Sequence, residues 1–133
     1  MKRSSFCKNA ALMAAIALLS HAAAATDIPN DTVVLRALDK VSGQVNTIKG
    51  TVGQVLTFGT LQIVVRTCVN HPPEEPPESA AFLEVTEPQT KAPPKQIFSG
   101  WMFASTPAIS AIDDPVYDIW VLHCENSAAS KSR

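Results

Sequence analysis

Leu61–Cys68, LQIVVRTC, is the run that decides the fold. Its β-branched residues lose little by being extended and much by being helical. Leu61, Ile63 and Val65 recur with period two, which puts them on one face of a strand. Val64 and Cys68 share the other face with Gln62 and Arg66. Gly59-Thr60 precedes the run as a turn signal. Asn70–Ser79, NHPPEEPPES, follows it with four prolines and three glutamates. That second stretch is excluded from a central strand or a helix interior, because proline lacks the donor that either needs. It reads as an exposed loop with polyproline character.

Working outward, the pattern repeats. Upstream lie Thr32–Leu38 (TVVLRAL), Val45–Ile48 (VNTI) and Val55–Phe58 (VLTF), each short and β-branched. Gly43, Gly50, Gly53 and Gly59 punctuate them at the spacing of tight hairpins. Downstream lie Ala80–Thr86 (AAFLEVT), a second proline-rich loop at Glu87–Lys95, and the aromatic strand Gln96–Ala104 (QIFSGWMFA). Gly100 inside that strand marks a bulge or a close approach. Ser105-Thr106-Pro107 reads as a capped helix start. Asp113-Asp114-Pro115 stops the helix within a turn or two, before the last strand at Val116–Cys124 (VYDIWVLHC). About seven short strands with one short helix before the last make an all-β domain, a small β-sandwich or barrel. In the last strand Tyr117, Ile119 and Val121 oppose Trp120, Leu122 and Cys124, so both faces are apolar, as in a central strand.

The N-terminus reads as an export signal. Lys2, Arg3 and Lys8 form a positive head, Ala10–Ser20 is an apolar run, and the small residues up to Ala25 suit a signal peptidase. The run is shorter than the roughly 20 residues that span a bilayer. Cleavage near Ala25 leaves a single β domain over 26–125, with 126–133 as a polar tail that has nothing to pack. Removing the signal removes three of eleven basic residues and none of the twelve acidic ones, so the mature chain is acidic, with a formal charge of −4. No basic face remains for nucleic acid, and no second apolar run is long enough to span a membrane.

Cys7 leaves with the signal, and Cys68 and Cys124 remain. An even pair in an oxidising compartment reads first as a disulfide. Closing that loop is worth about 4 kcal/mol on the chain-entropy model. Each cysteine ends its strand, so the bridge joins parallel strands, strands overlapping at their ends, or strands facing across two sheets. The last is favoured.

Other chemistry is thinly supported. Cys68, His71, His123 and Cys124 hold the donors of a zinc site, but adjacent strand residues point to opposite faces, which sets His123 apart from Cys124. His71, Glu74, Glu75 and Glu78 in the proline-rich loop offer one nitrogen ligand among solvated glutamates. No Gly-x-Ser-x-Gly elbow and no phosphate-cradling loop occurs, so the residues name no catalytic group, metal ligand or cofactor. Asn30-Asp31-Thr32 matches a glycosylation acceptor, a pattern common by chance.

Leu35–Gly43 (LRALDKVSG), Phe58–Leu61 (FGTL), Cys68 with Pro72-Pro73, Ala81–Leu83 (AFL), Phe98–Ala104 (FSGWMFA) and Val116–Val121 (VYDIWV) closing on Cys124 carry a joint resemblance. Together they resemble the family known as domain of unknown function 2155, small exported proteins of Gram-negative bacteria. The resemblance runs from Val33 to Cys124. It implies a periplasmic location and supplies no catalytic residues.

The expected function is a non-enzymatic periplasmic domain that binds another envelope component, protein or lipid. The candidate surface is Phe98, Trp101, Met102 and Phe103 with Asp113, Asp114 and Trp120, because loops held by a rigid sheet display binding groups. One alternative is a carrier of a small apolar or lipid ligand, with Trp101 and Trp120 lining its cavity. A hydrolase using His71 or His123 is a distant third.

Overall fold

A computed structural model describes residues 26–130; the stretch 1–25, read above as an export signal, and the end of the tail lie outside them. The described chain forms β1 (Ile28–Pro29), β2 (Thr32–Asp39), β3 (Val45–Thr51), β4 (Val55–Phe58), β5 (Leu61–Asn70), β6 (Ser79–Glu87), β7 (Lys95–Phe103) and β8 (Tyr117–Glu125). A 3-10 turn at Pro107–Ile109 precedes β8, and one helical turn, α1 (Ser127–Ser130), follows it. The fold is all-β, as the periodicity predicts.

Two antiparallel sheets face each other. The first runs β1-β5-β6-β7, with β4 also paired to β5; the second runs β3-β2-β8. On one side the chain itself joins the sheets, at the β1–β2 step and the short β3–β4 turn. On the opposite side β7 ends one sheet and β8 the other, and the 104–116 connection runs between them. Leu35, Leu61, Ile63, Val65, Leu83, Val85, Met102, Ile119 and Val121 fill the space between the sheets. Phe58 and Tyr117 meet edge to face across them, with ring centroids 5.4 Å apart.

The disulfide joins the two sheets. Cys68 on β5 and Cys124 on β8 are bonded with Cα atoms 5.7 Å apart, and both are buried. Strict alternation puts Cys68 outside with Val64 and Cys124 outside with Trp120. The structure turns both inward with one device. The β5–β6 register slips at Arg66, and the β2–β8 register slips at Leu122. Each extra residue lies two positions before a cysteine and reverses the side on which it emerges. The β6–β7 register slips too, at Ile97. The irregularity expected at Gly100 is therefore displaced: Gly100 pairs regularly with Leu83, and a Cβ there would lie 3.2 Å from the Phe98 ring.

Three expectations are corrected. β8 is an edge strand, and β2, with four consecutive buried residues, is the central one. The second face of β8 is apolar because Trp120 and Leu122 lie half-buried on the outside of the sheet. Residues 26–31 read in the sequence as a polar tether with a proline, but Ile28 and Pro29 pair with Asn70 and Val69. Nor does the tail lack a partner. Asp31 donates its N–H to Asn126 Oδ1 at 3.1 Å and accepts the Ser127 N–H at 2.8 Å and the Ser127 hydroxyl at 2.7 Å. Asp31 thus caps α1 from the other end of the domain. Bonds from the Thr32 hydroxyl and from Ser127 hold its carboxyl below the ordinary range. Thr32 is buried.

Candidate binding site

β7 displays aromatics on its two faces in turn. Met102, Gly100 and Phe98 pair with Ala81, Leu83 and Val85 on the inner face, and Met102 is only 1% exposed. Trp101 pairs with Phe82 on the outer face, where the rings meet edge to face at 5.7 Å. Trp101 is 42% exposed and Phe103, on the same face, is half-buried.

The 104–116 connection borders three surface clefts. The largest, about 550 Å³, lies at the disulfide end and is lined by His71, Glu78, Ser105 and His123 among others. Glu78 is its organising group. Its Oε1 accepts the Ser79 and Ser105 N–H groups, each at 3.0 Å, and its Oε2 accepts the Ser105 hydroxyl. Burial works against ionisation of Glu78, but these bonds, with a contribution from the charge of His71, outweigh it and hold the carboxyl below its usual value. The proline-rich loop is correspondingly structured. Glu75 N–H closes a turn onto the Pro72 carbonyl, His71 N–H donates to the Glu78 carbonyl at 3.0 Å, and His71 Nδ1 donates to the Pro76 carbonyl at 3.1 Å.

A second cleft, about 440 Å³, lies between β8 and the 3-10 turn, lined by Pro107, Ala108, Ala111, Asp118, Ile119 and Trp120. The third is smaller, about 280 Å³, and includes Asp114 and Tyr117. Asp114 is buried. Its Oδ1 accepts the Val116 and Tyr117 N–H groups at 2.8 and 2.7 Å, and its carbonyl accepts Lys40 Nζ at 2.7 Å.

Comparison with known proteins assigns the lineage. The family model described as "Uncharacterized protein conserved in bacteria (DUF2155)" matches residues 33–124. The chain belongs to this family. It is similar to the "Uncharacterized protein RP359" of Rickettsia prowazekii (strain Madrid E), 25% identical over 88 residues, 66% of this chain. The match spans 57% of that relative's length. No solved structure matches the chain.

In this DUF2155 member the seven candidate residues divide by role. Trp101 and Asp113 are exposed, and Phe103 and Trp120 are half-buried. Phe98 packs inward beside Gly100, Met102 belongs to the core, and Asp114 builds the turn into β8. Trp101 and Trp120 lie on the outer faces of different sheets and share no cavity. The zinc reading loses its thiolates to the disulfide, although His71 and His123 do line one cleft. Ser105 gives its hydroxyl to Glu78 rather than to a histidine, and its hydroxyl does not cap the 3-10 turn, which starts uncapped at Pro107. The Glu78–Ser105 pair escapes sequence reading because 27 residues separate its members. Among the described residues no helix is long and apolar enough to cross a membrane.

Proposed function

We propose that this protein is an exported, non-enzymatic binding module of the periplasm that engages another envelope component through the outer face of edge strand β7. The observation that carries this reading is Trp101, which stands 42% exposed on the outer face of an edge strand and is braced by Phe82. The uncovered part of such a side chain, on the order of 100 Å², represents roughly 2.5 kcal/mol of burial available to a partner. Tryptophan is enriched among residues that dominate binding energy. The signal-like N-terminus and a disulfide-stapled domain of this size both suit an oxidising compartment outside the cytoplasm.

The test is affinity capture of the mature protein from envelope extracts, with proteins and lipids both analysed. A protein recovered stoichiometrically, lost on Trp101→Ala while the melting temperature is unchanged, supports the reading. Recovery of a bound lipid without a protein partner contradicts it and favours a carrier.

A further inference from the structure

Every sheet edge among the described residues is blunted except one. β1 is two residues long and includes Pro29, and β4 is only four residues long. β7 is broken by the slip at Ile97, and its Phe103 carbonyl already accepts the Thr106 N–H. β8 is covered, with Ile119 and Val121 each 1% exposed. β3 has none of these protections. It pairs with β2 alone, in unbroken register from Val45 to Thr51, and contains no proline. Asn46, Thr47 and Lys49 are exposed, and Val45 is 51% exposed.

The β2–β3 turn sets which backbone groups of β3 are free. Asp39 N–H donates to the Gln44 carbonyl at 2.9 Å, so Gln44, Asn46, Ile48 and Gly50 face β2, while Val45, Thr47 and Lys49 turn their N–H and C=O groups outward. Among the described residues nothing takes those outward groups. The stretch closes at Thr51, whose N–H donates to Gln54 Oε1 at 3.2 Å and whose carbonyl accepts the Gln54 N–H at 3.0 Å. Lys49 carries the one charge on β3, and its ammonium is drawn back over the sheet into an ion pair with Glu125. The charge that would guard the edge is engaged elsewhere.

We propose that β3 pairs antiparallel with β3 of a second copy of this chain, about a two-fold axis beside Thr47, so that the two smaller sheets become one continuous sheet. The outward residues are symmetric about Thr47, as a two-fold contact requires. Thr47 then meets its own copy, a favourable cross-strand pair, and Val45 meets the second copy's Lys49. Each of these pairs exchanges two hydrogen bonds, about six in all. The charge pattern fits the same occupant. A basic residue opposite Lys49 would be repelled, and the two-fold sets neutral Val45 there, against the lysine's methylene stem. This pairing lies on the side of the domain away from β7, so the dimer displays two Trp101 faces and the inference goes beyond the binding-module reading.

The test is sedimentation velocity of residues 26–133 from about 10 μM to about 1 mM, with ¹⁵N amide spectra over the same range. The expected result is a reversible dimer with a dissociation constant on the order of 100 μM, the weak end that a small interface supports, and concentration-dependent shifts centred on Val45, Thr47 and Lys49. Thr47→Pro removes an outward N–H and none of the β2 ladder, and should weaken the dimer at least tenfold. Val45→Lys sets lysine against lysine and should weaken it about tenfold at low salt, with recovery in about 0.5 M salt. Trp101→Ala should leave it unchanged. A monomer across the whole range, shifts centred on another strand, or a dimer indifferent to both β3 substitutions would overturn the proposal. A monomer that still captures a partner through Trp101 would sink this inference and leave the binding-module reading standing.

Discussion

Replacing Cys68 and Cys124 together by alanine removes the covalent link between the two sheets. The cysteines are 56 positions apart, so loop closure alone accounts for about 4 kcal/mol of lost stability. Both side chains are also buried, at 2% and 4% exposure, which adds a small packing loss. Against a total stability of ~5–15 kcal/mol, the variant retains a marginal fold. At ~4–8 °C per kcal/mol for a domain of this size, the melting temperature should fall by about 15–30 °C. Urea unfolding of oxidised residues 26–133, their reduced form and the double variant measures this directly. The m-value should rise once the cross-link is gone, because the unfolded chain then exposes more surface. A loss below about 1 kcal/mol with an unchanged m-value would refute the reasoning, as would two free thiols in the mass of the non-reduced protein.

Deleting Arg66 removes the extra residue on β5 and should swing Cys68 to the outer face; mass spectrometry should then find both thiols free, and a retained bridge would show that the bulge does not aim it. Gly59 sits at φ +56° with the Tyr117 ring where a Cβ would stand, so Gly59→Ala should cost about 1–3 kcal/mol in chemical denaturation. Asp31, Glu78 and Glu125 all have carboxyls held below their ordinary values of 3.8, 4.5 and 4.5. Groups lowered on folding stabilise fully above the unfolded pKa and lose that contribution as pH falls through the folded one. The melting temperature should therefore decline from about pH 5 downward, and Glu78→Gln should flatten that decline while costing about 1–2 kcal/mol at neutral pH; a decline as steep as in the parent protein would count against Glu78.

Period two in LQIVVRTC identified the core face of β5 correctly through Val65 and failed at Cys68, because one inserted residue reverses every side chain after it. The same insertion at Leu122 misled the reading of β8. There the apolar second face comes from Trp120 and Leu122 on an uncovered sheet, not from a neighbouring strand on each side. The cross-sheet disulfide was nonetheless readable, since it follows from where each cysteine falls in its strand. Trp101 and Met102 illustrate the limit for the site: adjacent in the chain, they face opposite ways, and only the register with Phe82 and Ala81 tells which is outside. Glu78 with Ser105, and Asp31 with Ser127, were beyond reach because tertiary geometry alone brings together a carboxylate and a serine so far apart.

The central claim is that the outer face of β7, which carries Trp101, meets another envelope component. A photo-crosslinking amino acid installed at position 101 of the full-length protein, and activated in living cells, tests it most directly. The account predicts one predominant cross-linked protein, absent when the reactive residue is moved to exposed Val41 on the β2–β3 turn. No protein adduct at position 101, or the same adducts from position 41, would contradict it.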